Sequence, residues 1–347
     1  MNLLADKSIL EFGPGTGDNA SVLLTKFSRL LDLVEGNDAS QASINKQIIQ
    51  NQSLTGKTIV NPHTKDARNF NMSLDNLGEK SSGYDLVICE GVINGNEHPA
   101  KFLTHIISFV KPGGNLIITT VSAMGVLDQA LRRTFKPPIY RKTKDYKKQV
   151  KICSDIFRDH LKNLPTTKPI EDWVQDAILH PLSREYIFDT EDAISTLSRD
   201  FIAVGASPNF YQDFRWHKGI KRDYDNRNDE YIKQYKAMAP MLIDSRKHDY
   251  LEVTNYKELE GLAVEIWNIS CDIWNNNAYD NFQELSQSLE KTRTLLYNDF
   301  PDVTKAIDEY LINFHEIMQG NFSNAMPFFE KWWGRGLTYL SFRKLAD

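Results

Sequence analysis

Cysteine is scarce: three residues in 347, Cys89, Cys153 and Cys271, and no two are close enough to form a Cys-x-x-Cys pair. That spacing indicates neither a zinc site nor a disulfide framework. Long apolar runs are missing too; none reaches the roughly 18 residues that suggest a bilayer span. The first residues show no basic stretch followed by a cleavable apolar segment, so no targeting peptide is expected. Long blocks of positive charge are also absent. The densest is "YRKTKDYKKQVK" (Tyr140–Lys151), which reads as a solvated helix face, and the formal net charge is -5. A phosphate-tracking surface needs a broader positive footprint. His63, His98 and His105 have no metal-ligand spacing. These absences lead to the expectation of a cytoplasmic protein in a reducing compartment, with no metal, no membrane span and no nucleic-acid partner. A homo-oligomer stays open.

What is present suits a folded chain of some size. Hydrophobic residues make up 41% of the sequence, enough to core two domains or one domain with large insertions. Over the first 120 residues, short apolar runs alternate with helix-length amphipathic segments. Strands are expected at "SILEFG" (Ser8–Gly13), "LLDLVEG" (Leu30–Gly36), "KTIVNP", "YDLVICEG" (Tyr84–Gly91) and "NLIITTV" (Asn115–Val121). Helices are expected at Asp18–Phe27, at Asp38–Gln52 with Asp38 as N-cap, and at His98–Val110 before "KPGG". Strands separated by helices imply βαβ units and a parallel sheet.

Beyond Val121 the pattern changes. Residues 122–186 are charged and helical in tone. "DTEDAISTLSRD" (Asp189–Asp200) reads as a capped helix. "FIAVGAS" (Phe201–Ser207) and "FYQDFRWH" (Phe210–His217) read as two strands on a tight connection, hence antiparallel neighbours. From about Asp223 onward the chain looks helical and rich in Tyr and Trp. The expected architecture is α/β: a doubly wound, mostly parallel seven-stranded sheet with an antiparallel last strand. Its expected parts are a Rossmann-like domain (1–121 and 187–220), a helical insert capping the acceptor (122–186) and a helical C-terminal region (221–347).

The chemistry-bearing stretch is "ILEFGPGTGDNA" (Ile9–Ala20), with Gly13, Gly15 and Gly17 two apart after an apolar run. A glycine-rich turn between strand and helix lets a ligand approach the backbone. The dinucleotide fingerprint G-x-G-x-x-G/A is broken by Asp18 at its third glycine position, where a carboxylate would face a pyrophosphate. The phosphate loop fails as well, since no Lys-Ser/Thr follows the glycines. An acidic loop suits a ligand with a cationic amino group and no phosphate.

On these residues the sequence resembles the class I S-adenosylmethionine-dependent methyltransferases. "LEFGPGTG" is similar to that family's E/D-x-G-x-G-x-G motif, "LVEG" to its second-strand acid, "KDARNF" to its adenine-contacting turn, and "YDLVICEGVING" and "FVKPGGNLIITT" to its fourth- and fifth-strand motifs. The resemblance covers roughly residues 8–121. It implies S-adenosylmethionine as cofactor, held by Glu11, Gly13, Gly15, Gly17, Glu35, Gly36, Asp66, Ala67 and Glu90. Glu35 would accept from both ribose hydroxyls, a bidentate fit. Asp66 would accept from the adenine amine, and Glu11 would engage the amino group.

The family's acceptor-binding parts vary, and "EGVINGNEHP" lacks the Asn-Pro-Pro-aromatic motif of enzymes that methylate the amino groups of adenine and glutamine. In the insert, Trp173, Asp176 and His180 are spaced i, i+3, i+7, which puts them on one helical face. Asp176 and His180 are candidate catalytic groups there, since imidazole suits general-base work near neutral pH. Trp173 and Arg335, the latter in "GRG", are candidates for acceptor binding. The expected reaction is methyl transfer to a small-molecule or saccharide-like acceptor, on oxygen. The alternative is a non-catalytic cofactor-binding module whose helical C-terminal region binds a partner protein.

Overall fold

The structure is a computed structural model. It describes residues 4–26, 28–50, 58–70, 83–162, 164, 166, 168–181, 183–197, 199–212, 226–247, 255–276 and 279–346. In chain order the elements are β1 (Ser8–Phe12), α1 (Asp18–Leu24), β2 (Leu30–Glu35), α2 (Asp38–Gln50), β3 (Ile59–Thr64), β4 (Tyr84–Cys89), α3 (Pro99–Ile107) and β5 (Val110–Val121). Then come α4 (Leu127–Arg133), α5 (Lys136–Lys142), α6 (Tyr146–Leu161), α7 (Ile170–Val174), α8 (Thr190–Thr196), β6 (Phe201–Ser207) and α9 (Arg227–Met238). The chain closes with α10 (Tyr256–Asn276), α11 (Phe282–Leu296), α12 (Pro301–Gln319), α13 (Pro327–Lys331) and β7 (Leu337–Lys344). It divides into two compact units. One holds Met1–Thr120, Phe188–Tyr235 and Thr338–Asp347; the other holds Val121–Ile187 and Lys236–Leu337.

The first unit is built on a seven-stranded sheet of order β3-β2-β1-β4-β5-β7-β6. The first five strands pair in parallel, and β6 and β7 pair antiparallel. Successive side chains of a strand point to opposite faces. On β1 and β2 one face therefore carries Ile9, Leu31 and Leu33, which pack with Ala20, Leu23 and Leu24 of α1 and Ile44 of α2. The other face carries Phe12, whose ring meets Phe70, Phe102 and Phe109. Pro62 sits in β3, the edge strand, where a missing ladder donor costs least. Asp189 and Asp192 form a reciprocal capping box on α8, as the sequence suggested.

Three expectations need correction. The antiparallel partner of Phe201–Ser207 is the chain's last strand, β7, with Ala203 opposite Phe342 and Ser207 opposite Tyr339. Phe210–Gln212 form no strand, and 213–217 lie outside the described residues. The C-terminal region is thus not purely helical, because Leu337–Lys344 is a strand of the sheet. The cap of α2 is Asn37 rather than Asp38: the Asn37 Oδ1 accepts from the Ser40 N–H at 3.2 Å.

The second unit is mainly helical. Along α10, Leu259, Leu262, Ala263, Ile266, Trp267, Ile269, Ile273 and Trp274 are buried, a stripe at helical spacing. Three buried indoles find acceptors, Trp267 at the Ser183 carbonyl, Trp274 at Ile178 and Trp332 at Ile243, whereas the buried Trp333 Nε1 has no hydrogen-bond partner among the described residues. At its centre lies a buried ion pair, Arg132 to Asp128 at 2.7 Å, with both side chains fully inaccessible. Arg132 also donates to the carbonyls of Phe329 and Trp332 and lies over the rings of Phe329 and Trp333. A buried charge survives only when so fully partnered.

Candidate active site

In the order β3-β2-β1-β4-β5, successive strands step one way from β1 and then reverse to β4. Ligands of open α/β sheets bind at such a reversal, outside the carboxyl ends of the strands. Here that crevice lies beyond the ends of β1 and β4, and the acidic glycine loop opens into it.

Glu11 is the penultimate residue of β1, opposite Ile88 of β4. Alternation places it on the same face as Ile9, toward α1, and it is 1% exposed. Its Oε2 has no hydrogen-bond partner in the protein. Burial pushes the Glu11 carboxyl up to about 7; hydrogen bonding from Asn19 pulls the other way, and the nearby Glu90 adds to the rise. Glu90 directly follows β4 and is gripped at both oxygens. The Asn19 amide donates to Oε2 at 2.8 Å, and the Tyr339 hydroxyl of β7 donates to Oε1 in a short hydrogen bond.

The loop between β1 and α1 holds its shape through glycine. Gly13 has φ +66, and a Cβ there would lie 2.2 Å from Val92 Cγ2. Gly15 has φ +56, with open space where its Cβ would be, and Gly17 caps α1 in the left-handed region without a side-chain bond. Glu35, at the end of β2, accepts from the Gly15 N–H at 3.1 Å through one oxygen and from the Asn37 N–H at 2.9 Å through the other. Each carboxylate oxygen keeps a lone pair for a further donor. A ligand group with two adjacent donors, such as a diol or a guanidinium, can use both. Gly36 follows in loop, where a Cβ would meet only ordinary contacts near Lys65 and Asp66.

Asp66 caps the short turn Ala67–Asn69, accepting from the Arg68 N–H at 2.9 Å. Its carboxylate also pairs with the Arg68 guanidinium, which holds its pKa below the usual carboxylate range. Ala67 is half-buried in that turn. A cavity of about 600 Å³ opens beside it, lined by Arg68, Asn69, Asn96, His98, Phe102 and His105 among others. None of Glu11, Glu35 or Glu90 lines it, so the strand-order reversal, not the cavity, marks the crevice.

The residues expected to serve the acceptor lie in the second unit, and their geometry differs from the expectation. A regular helix stops at Val174; Gln175–Leu179 form a π-helical turn, closed by the His180 N–H on the Gln175 carbonyl at 2.8 Å. The wider i→i+5 turn breaks the 3.6-residue phase on which a shared face depends. Trp173 packs edge-on against Phe157 and Trp333. Asp176 is exposed and paired with Lys168, and His180 is exposed in extended backbone with Nδ1 3.2 Å from the Pro181 carbonyl. Arg133 runs beneath them, donating to the His180 carbonyl at 3.2 Å. Arg335 is held by chain contacts, its guanidinium donating to the Ser245 carbonyl at 3.2 Å.

Two residues at the crevice were not singled out from sequence. Asn19 sits in the first turn of α1, where its position after the glycines could have flagged it. Tyr339 carries no local signal, since it reaches Glu90 across 249 positions of chain.

With this geometry in view, comparison with known proteins places the fold. Residues 2–177, half of the sequence, match the family described as a methyltransferase domain. The chain belongs to this methyltransferase-domain family. No curated protein matches it in sequence. Among solved structures it is similar to the CcbJ methyltransferase from Streptomyces caelestis (16% identity, 35% of this chain and 46% of that one, TM-score 0.29). It is similar also to an S-adenosylmethionine-dependent methyltransferase from Clostridium acetobutylicum (20%, 38% and 48%, TM-score 0.30). A third is CrArsM, an arsenic(III) S-adenosylmethionine methyltransferase from Chlamydomonas reinhardtii (21%, 34% and 40%, TM-score 0.28). The chain thus spans less than half the length of each of the three, and so partial a likeness carries nothing about the acceptor. Among the described residues no helix is long and apolar enough to cross a membrane.

Proposed function

We propose that the protein transfers the methyl group of S-adenosylmethionine to a small-molecule or saccharide-like acceptor, on oxygen. The observation that carries the cofactor site is the set of three carboxylates around a glycine loop. Among the described residues, Glu11, Glu35 and Glu90 form no ion pair with a lysine or arginine. Such a site attracts a cationic ligand and repels a pyrophosphate. Its residues fit the cofactor: Glu35 takes the ribose hydroxyls, the loop packs on the methionyl chain, and the orphaned Glu11 oxygen awaits a donor. Asp66 and Ala67 take the adenine edge. When bound, the sulfonium supplies an electrophilic methyl group. This chain's part is to hold the donor in line with the acceptor, and positioning alone lowers such a barrier substantially.

The oxygen acceptor rests on less. The segment after β4, "EGVINGNEHP", lacks the amino-group motif, and a net charge of -5 disfavours a polyanionic acceptor. The test is calorimetry followed by a labelled-methyl turnover screen over small hydroxyl compounds and amines. S-adenosylhomocysteine should bind at micromolar concentrations and NAD should not compete. Glu35→Gln should weaken binding by about 1–3 kcal/mol, the worth of charged hydrogen bonds, with the unfolding endotherm unchanged. Competitive NAD binding, or unaltered affinity in Glu35→Gln, would reject the assignment. Turnover on amines alone would reject oxygen.

A further inference from the structure

Glu90 is held by two residues that lie far from it in sequence and far from each other. The Asn19 amide, in the first turn of α1, donates to its Oε2 at 2.8 Å, and the Tyr339 hydroxyl, on β7, donates to its Oε1. All three residues belong to the first unit. Neither contact belongs to the core. On β7 the side chains of Thr338, Leu340 and Phe342 are buried, whereas Tyr339 stands on the other face and is 38% exposed. Asn19 is exposed as well. Hydrogen bonds between such groups add little to folding stability, because water replaces either partner on unfolding. Their effect falls on the glutamate itself. A free glutamate side chain samples many rotamers, and binding a ligand with it costs that freedom. Two donors on separate elements fix the carboxylate before any ligand arrives. Both donors are neutral, so they orient the carboxylate without cancelling its charge, as a lysine or arginine in their place would.

We propose that Tyr339 is a positioning residue for cofactor binding: together with Asn19 it holds Glu90 just beyond the end of β4, so that the carboxylate meets the cofactor's ammonium group already ordered. The inference rests on the cofactor site proposed above. Each Glu90 oxygen accepts one hydrogen bond and keeps a lone pair for a second donor. An ammonium brings several N–H donors and a positive charge, which suits a carboxylate so prepared. No covalent bond changes and no proton moves. The last strand of the sheet thereby serves the site as well as the fold, since Tyr339 reaches Glu90 only when β7 is in place.

The measurement is titration calorimetry of the full chain with two ligands. S-adenosylhomocysteine carries the ammonium group; methylthioadenosine keeps the nucleoside and the thioether but has no ammonium. Tyr339→Phe should weaken S-adenosylhomocysteine about 2–10-fold, the cost of ordering one mobile side chain, and leave methylthioadenosine unchanged. Asn19→Ala should act in the same direction and on the same ligand alone. With Glu90→Ala in place, Tyr339→Phe should cost nothing further, because the group it positions is gone. Tyr297→Phe, on an exposed side chain of the second unit, should match the parent. A role in sheet stability alone would weaken both ligands together, and that result would overturn the assignment. An unchanged affinity for S-adenosylhomocysteine in Tyr339→Phe would overturn it too, as would a loss that persists in full beside Glu90→Ala. If the parent itself does not bind S-adenosylhomocysteine, the cofactor site is rejected, and this inference with it.

Discussion

The loop geometry makes a quantitative claim about two glycines. Gly13 and Gly15 share the left-handed backbone, at φ +66 and +56, but differ in surroundings. An alanine at Gly15 meets nothing within 4 Å, so it suffers backbone strain alone, about 1–2 kcal/mol. An alanine at Gly13 suffers the same strain and also drives its Cβ to 2.2 Å from Val92 Cγ2. Overpacking of that kind adds about 1–3 kcal/mol, for a total of about 2–5 kcal/mol. For a unit of roughly 150–250 residues, each kcal/mol moves the midpoint about 2–4 °C. Gly15→Ala should therefore lower the transition of the first unit by about 5 °C and Gly13→Ala by about 10 °C.

Scanning calorimetry is the right readout, because five of the six tryptophans belong to the second unit and fluorescence would report on that unit. The decisive variant is the double change. Val92→Ala removes the clashing methyl, so Gly13→Ala with Val92→Ala should be more stable than the two single losses summed, by about 1–3 kcal/mol in a double-mutant cycle. If Gly13→Ala is no worse than Gly15→Ala, or the cycle shows no coupling, then the loop does not pack on Val92 as described.

Two further predictions concern buried or half-buried charge. Arg132→Met should destabilise the second unit by about 3–5 kcal/mol, read by tryptophan fluorescence in urea, because it strands Asp128 in the core; adding Asp128→Leu should recover part of the loss. Asp85 is pulled up by burial but held down to about 2 by Lys111 at 2.6 Å and by the Ser8 N–H and hydroxyl. A depressed carboxylate contributes stability above its unfolded value near 4 and loses it as pH falls toward about 2, here on the order of 1 kcal/mol after solvent screening. Asp85→Asn should flatten the stability profile over that window.

Much of the first unit was legible because its signals are local. Buried parallel strands read as short apolar runs, and the helices between them carry their own stripes and caps. Boundaries moved by a few residues where turns intervened. β5 begins at Val110, five residues before the expected start, since Lys111–Gly114 run within the strand; Gly113, at φ +73, supplies the irregularity. The pairing shift between Tyr84, opposite Val110, and Leu86, opposite Asn115, absorbs it. None of this could be read from "KPGG", which has the composition of a turn.

The failures share one cause. Phe201–Ser207 needs an antiparallel neighbour, and the sequence offers "FYQDFRWH" only a few residues on. Proximity favours that choice, since sequential strands usually adjoin. The neighbour in fact arrives from the chain's end, in a strand whose residues Thr338, Leu340 and Phe342 are buried while Leu337, Tyr339 and Arg343 are exposed. That alternation was present in "GLTYLSFRK" and was masked by the dense aromatics before it, in a region that looked helical. The π-helical turn at Gln175–Leu179 hid in the same way, because its residues are ordinary helix formers and only the bonding pattern departs. At the crevice the consequence is chemical. β7 runs antiparallel, so its beginning lies at the carboxyl ends of the parallel strands, and this direction alone brings the Tyr339 hydroxyl to Glu90. A local reading can find Glu11 and Glu90 from the motifs that flank them. It cannot find their third partner, because that contact belongs to the order of strands and not to any stretch of residues.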